Sequence, residues 1–173
     1  SVTPKSAPVV RATENTGKPQ TTGPTKPYQF HGKSFLNRME TNPSAEDTIF
    51  LSHTFHEITN YYPMRVVRRG KYKLIFNIAH PLPFPFASDL QESPTWQQVL
   101  ARKNPEEIYG RRPVKKYLQR PRFELYDLEA DPDELTNLAE SILHKETLED
   151  LQKRLQSWQK VTQDPWELKW TYE

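Results

Sequence analysis

From residue 71 to 78 the chain alternates: Tyr72, Leu74 and Phe76 fall on one face, Lys71 and Lys73 on the other. That is the two-residue period of a half-buried strand. Met64-Arg65-Val66-Val67-Arg68-Arg69 precedes it, and Gly70 between the two arms supplies the positive φ that a tight turn needs. Residues 64–78 therefore predict a β-hairpin. Thr48-Ile49-Phe50-Leu51-Ser52-His53 is a short apolar run suited to a buried strand. Phe123-Glu124-Leu125-Tyr126-Asp127-Leu128 alternates like the hairpin arm and predicts a fourth strand, after which Asp131-Pro132-Asp133 breaks the chain. Helical spacing appears twice. Residues 94–102 predict a short helix with Ser93 as N-cap and Pro94 at its first position. Later, Leu148, Leu151, Leu155 and Trp158 recur at three- and four-residue steps among charged residues, ending before Asp164-Pro165-Trp166. The expected fold class is α+β. About four antiparallel strands form a sheet, with the long C-terminal helix packed on one face to bury both apolar stripes.

Residues 1–45 differ in kind. Stretches such as Thr21-Thr22-Gly23-Pro24-Thr25-Lys26-Pro27 lack apolar periodicity and nucleate neither helix nor central strand. An irregular, Pro-rich extended connector over 1–45 and an α+β module over 46–173 are the expected domains. The whole chain has 16 prolines, and its hydrophobic share of 35% is below the globular norm, yet aromatics reach 12%. An aromatic core plus a poorly packed segment accounts for both. The net charge of +2 gives no reason to expect a nucleic-acid partner. No apolar run approaches the roughly 20 residues that span a bilayer, so no membrane partner is expected either. With no cysteine, disulfides, thiolate metal sites and a Cys nucleophile are excluded within these residues. The chain opens at Ser1 with neither Met nor an apolar leader, and part of a longer polypeptide is the expectation.

Chemistry concentrates after the first strand. His53-Thr54-Phe55-His56-Glu57 places two imidazoles and a carboxylate at a strand end, where they could bind an anion, donate a proton or ligate a metal. The order is not that of the helical metalloprotease motif. His53, His56 and Glu57 are the candidate substrate-binding residues. Two basic groups follow: Arg65, Arg68, Arg69, Lys71 and Lys73 on the hairpin, and the Lys and Arg residues of 111–122. Guanidinium matches sulfate, phosphate and carboxylate in forked geometry; the alternative is a solvated face. Pro81-Leu82-Pro83-Phe84-Pro85-Phe86 forms either a sugar-stacking wall or a packing surface, and Trp158, Trp166 and Trp170 are expected to cap the core. Five dispersed glycines make no phosphate-cradling loop, and there is no serine-hydrolase elbow.

Several strings, in order, resemble the carboxy-terminal part of type I sulfatases. They are Tyr61-Tyr62-Pro63-Met64-Arg65-Val66-Val67-Arg68, Pro83-Phe84-Pro85-Phe86, Ser93-Pro94-Thr95-Trp96, the run Phe123 through Glu134 with Asn137-Leu138-Ala139, and Asp164-Pro165-Trp166. Within that family the likeness is to enzymes that remove N-linked sulfate from glucosamine in heparin or heparan sulfate. The resemblance implies a formylglycine nucleophile made at C/S-x-P-x-R and a Ca2+ ion held by Asp and Asn, both in an amino-terminal catalytic domain. Ser6-Ala7-Pro8-Val9-Val10-Arg11 sets its arginine one residue too late to be that motif. No catalytic residue, metal ligand or cofactor is therefore expected in this chain, which alone should be inert. Its implied partners are its own catalytic domain and a sulfated glycan, whose cleft rim it would help to form. Self-association through an uncovered aromatic face is a further expectation. Without cysteine or N-x-S/T sequon, the resemblance points to a bacterial, periplasmic or secreted version rather than an animal lysosomal one. A sulfatase for another sugar sulfate and an independent carbohydrate-binding module are the alternatives.

Overall fold

The computed structural model describes residues 47–57 and 60–172. The Pro-rich connector expected over 1–45 lies outside them. Four antiparallel strands make one sheet: β1 (Thr48–Phe55), β2 (Tyr61–Arg69), β3 (Tyr72–Asn77) and β6 (Phe123–Asp127), in the order β1-β2-β3-β6. Gly70, at φ 56, turns β2 into β3 as its sequence predicts. Between β3 and β6 come α1 (Ser88–Gln91), α2 (Pro94–Ala101), the two-residue strands β4 (Ile108–Tyr109) and β5 (Arg112–Pro113), and α3 (Val114–Leu118). The helix α4 (Lys145–Val161) then crosses β2 and β3, and a 3-10 turn over Glu167–Trp170 follows.

Side-chain alternation sets the sheet's two faces. Val67, Leu74 and Leu125 are paired in register across three strands and meet Leu151 and Leu155 of α4; of these only Leu151 shows any surface. Phe50 extends the row to β1, where its ring stacks on Trp158 at 5.2 Å. Trp170 lies on Phe76 and Phe123 at 4.4 and 5.6 Å, so the late tryptophans close the core as expected. A second, smaller cluster gathers Trp96, Val99 and Val114. Ser93 Oγ accepts from the Trp96 N–H at 3.3 Å, the cap that its position before Pro94 predicts. Phe84 and Phe86 pack edge-on between Tyr62 and Trp96, and the Arg120 guanidinium covers Phe84 at 4.3 Å. Packing, rather than an open sugar wall, is the role of those two rings.

β1 departs from expectation. It lies at an edge of the sheet, with Ile49 and Leu51 51% and 55% exposed on the side away from α4. An apolar run of this length does not distinguish a buried strand from an edge strand awaiting a neighbour. The opposite edge is closed. Asn137 accepts from the Leu125 N–H at 2.9 Å and donates to the Phe123 carbonyl at 3.0 Å, while the Leu138 N–H reaches the Leu125 carbonyl. An amide side chain thus stands in for a missing strand along β6.

Candidate functional site

The end of β1 and the loop into β2 are set by the chain's own hydrogen bonds. A bulge between His53 and Phe55 ends regular pairing, and the loop closes through the His56 N–H to the Asn60 carbonyl and the Asn60 N–H to the Glu57 carbonyl. His53 is half-buried, with Nδ1 3.1 Å from the Tyr62 carbonyl. A carbonyl only accepts, so Nδ1 carries the proton and Nε2 is the acceptor of the neutral ring. His56 is exposed. The Glu57 carboxylate accepts from Ser88 Oγ at 2.8 Å and from the Ser88 N–H at 3.3 Å, which ties the loop to the start of α1. Among the described residues no hydrogen bond joins His53, His56 and Glu57 to one another. Nor do these residues hold a group of three or more His, Asp or Glu able to grip a metal ion. The Ca2+ that the family resemblance implies finds no ligand set among them, and no step through it follows from this chain.

Beneath the loop lies an ion pair that linear patterning does not reveal. Arg65 Nε and Nη2 donate to the two Asp164 carboxylate oxygens at 2.6 and 2.9 Å, and both side chains are almost wholly buried. Arg65 Nη1 also donates to the His53 and Met64 carbonyls at 3.0 and 2.9 Å. Asp164 accepts further from Gln159 Nε2 and from the Trp166 N–H, and the Trp170 indole donates to Gln159 Oε1 at 2.7 Å. Burial alone would raise the Asp164 pKa. The hydrogen bonds from Arg65, Gln159 and Trp166, with the guanidinium charge, outweigh it and hold the carboxyl below its ordinary value. The latch joins Tyr61-Tyr62-Pro63-Met64-Arg65 to Asp164-Pro165-Trp166, and the Tyr61 and Trp166 rings sit 6.1 Å apart. Two strings that carry the family resemblance thus meet in space.

Most of the remaining basic residues are similarly committed. Lys71 pairs with Asp127 at 2.7 Å, Lys73 with Glu134, Arg111 with Asp133, and Lys115 with Glu106. The Lys71 hydrogen bond, assisted by the N–H groups of Ala130 and Glu129, lowers the Asp127 pKa. A third polar cluster is buried behind β3 and β6: Asn77 Nδ2 donates to Glu124 Oε1 at 2.6 Å, and the Tyr126 hydroxyl to Oε2 at 2.5 Å. Burial, reinforced by that carboxylate, pushes the Tyr126 hydroxyl well above its ordinary pKa.

Among the described residues no helix is long and apolar enough to cross a membrane. No protein-family model matches the chain. It is 37% identical over 142 residues to N-sulphoglucosamine sulphohydrolase of Homo sapiens, a match that covers 82% of this chain and 28% of that protein. A match of that length in a 173-residue chain takes in all four strands of the main sheet. The chain thus spans little more than a quarter of the curated relative it matches. Over most of its length this chain is similar to a sulfatase, and the likeness is consistent with a carboxy-terminal fragment of one.

Proposed function

We propose that this chain is the carboxy-terminal, non-catalytic part of a sulfatase that hydrolyses the N-linked sulfate of glucosamine in heparin or heparan sulfate. The observation that carries the reading is the 37% identity to N-sulphoglucosamine sulphohydrolase across 82% of the chain. The chain carries no cysteine and no S-x-P-x-R string, so the nucleophile belongs to other polypeptide. Its own contribution is a shaped wall. His53, with Nδ1 on the Tyr62 carbonyl, keeps Nε2 as the ring nitrogen that meets a substrate group. His56 stands beside it in the exposed loop, and Glu57 braces that loop on Ser88. These three residues form the rim of the substrate cleft, and the catalytic region packs against this module.

The test uses both the 173-residue chain and the longer protein that includes a catalytic region. The chain alone should release no sulfate from N-sulfated glucosamine, while the longer protein should. His53→Ala and His56→Ala in the longer protein should raise KM severalfold with a smaller change in kcat, because a rim group binds substrate without entering the chemistry. A longer protein that cleaves only O-sulfated sugars would sink the substrate assignment, and sulfate release by the chain alone would sink the non-catalytic one.

A further inference from the structure

Leu125 of β6 faces α4, so its neighbours Glu124 and Tyr126 look out from the other side of the sheet. There they line a small cavity together with Arg111, Arg112, Lys116 and Glu134. Its volume is 80 Å³, room for a few waters or one tetrahedral oxyanion and too little for a sugar ring. The acids around this cavity already have their partners. Glu134 accepts from Lys73, and Glu124 accepts from Asn77 and Tyr126 with Arg120 3.8 Å away. Asp133 pairs with Arg111, and Asp131, the nearby carboxylate that both arginines influence, accepts from the Thr136 N–H at 2.8 Å. The bases are less well matched. Arg112 donates from Nη2 to the Asp133 carbonyl at 2.6 Å and forms no ion pair among the described residues. Lys116, exposed on α3, has no partner among them at all. A cavity with satisfied carboxylates and two uncommitted cations is built for an anion.

We propose that this cavity seats one sulfate group of a sulfated glycan, held by Arg112 and Lys116, with the sugar ring left outside. That the anion is a glycan sulfate rests on the sulfatase reading above; that it is an oxyanion rests on the cavity alone. One bond, from Nη2 to a backbone carbonyl, holds the Arg112 guanidinium in place and leaves Nε and Nη1 as donors for an oxyanion. The Lys116 ammonium, a point charge on a flexible stem, adds attraction without demanding one geometry. The basic stretch over 111–122 thereby divides by role: Arg111, Lys115 and Arg120 pair with the chain's own carboxylates, while Arg112 and Lys116 are left for a ligand.

Isothermal titration of an N-sulfated heparin hexasaccharide into the 173-residue chain should show saturable binding. Lys116→Glu should weaken it about tenfold or more, the loss expected when a charge-assisted contact is replaced by repulsion. Arg112→Gln, which keeps a donor for the Asp133 carbonyl, should weaken it similarly with an unchanged circular dichroism spectrum. Lys116 is exposed, so its variant decides the matter even where Arg112→Gln disturbs the fold. Lys160→Glu makes the same change of charge at an exposed position of α4, across the sheet, and should leave the affinity nearly unchanged. Amide shifts during the titration should centre on residues 111–116 and 134–137. A hexasaccharide that does not bind, or that ignores both cavity variants, would overturn the proposal. So would equal losses from Lys116→Glu and Lys160→Glu, which would reduce the binding to general electrostatics. Inorganic sulfate that binds as tightly as the hexasaccharide would overturn the glycan as the source of the anion. Binding is read here without catalysis, so it and sulfate release by the longer protein fail independently.

Discussion

Arg65 and Asp164 are separated by 99 positions in the sequence and by one hydrogen-bond length in space. Removing one partner from such a buried pair leaves an uncompensated charge, which costs about 3–5 kcal/mol. Asp164→Asn is expected to lower unfolding stability by that order, as read from urea midpoints at neutral pH. The pH dependence has a definite sign. A carboxyl whose folded pKa lies below its unfolded value, about 3.9, stabilises fully above that value and loses its contribution as pH falls through the folded pKa. The gap between the parent and Asp164→Asn should therefore be constant near neutrality and shrink below about pH 4. Two buried tyrosines give a second comparison. The Tyr62 hydroxyl, pushed up to about 12 mainly by burial, has no hydrogen-bond partner among the described residues, whereas Tyr126 donates to Glu124. Tyr62→Phe should be neutral or slightly stabilising, and Tyr126→Phe should cost about 1–3 kcal/mol by leaving a carboxylate oxygen underpaired. The burial of Arg65 was not legible in the sequence. Met64-Arg65-Val66-Val67-Arg68-Arg69 has no clean alternation, and the arginine's partner lies beyond the reach of any local pattern.

Elements whose period is long enough to repeat were legible. Four strands and α4 follow from apolar spacing, and α2 from its Ser93-Pro94 start. The pair β4 and β5 was not, because two-residue strands contain no period; the left-handed Gly110, at φ 63, is the local mark of their turn. Position within the sheet was also hidden, since β1 reads as buried yet forms an edge. What closes the other edge is Asn137, through three hydrogen bonds: from Leu125 N–H, from Ala139 N–H and to the Phe123 carbonyl. Its place in the Asn137-Leu138-Ala139 string is thereby explained. Asn137→Ala should cost about 2–3 kcal/mol, because it strands half-buried backbone groups of β6. Amide exchange at Leu125 should accelerate with it. Unchanged protection there would mean that Leu138 alone suffices to close the strand.

At the scale of the whole molecule, the described residues form two apolar clusters, and a chain of aromatic rings leads into the smaller one. The larger lies between the sheet and α4; the smaller holds Trp96, Val99 and Val114. Tyr62, Phe84, Phe86 and Trp96 lead ring by ring from β2 into the smaller cluster, at centroid separations of 5.0, 5.4 and 4.9 Å. The loop after β1 is braced on Ser88, a few residues before Trp96 of the smaller cluster, and the His53 carbonyl accepts from Arg65 on β2, the strand that carries Val67 of the larger one. The geometry of that loop therefore depends on both clusters being formed. Trp96→Ala removes the centre of the smaller cluster, a loss of about 3–5 kcal/mol where the protein unfolds as a unit. If the clusters open separately, exchange in α2 and α3 should rise steeply while Leu74 and Leu125 retain their protection. From Trp96 the aromatic chain continues to Tyr109 and Tyr117, still within the smaller cluster, and leaves the contact between α4 and the sheet untouched, so separate opening is the expected result. Equal acceleration at all these amides would show instead that the two clusters form one cooperative core.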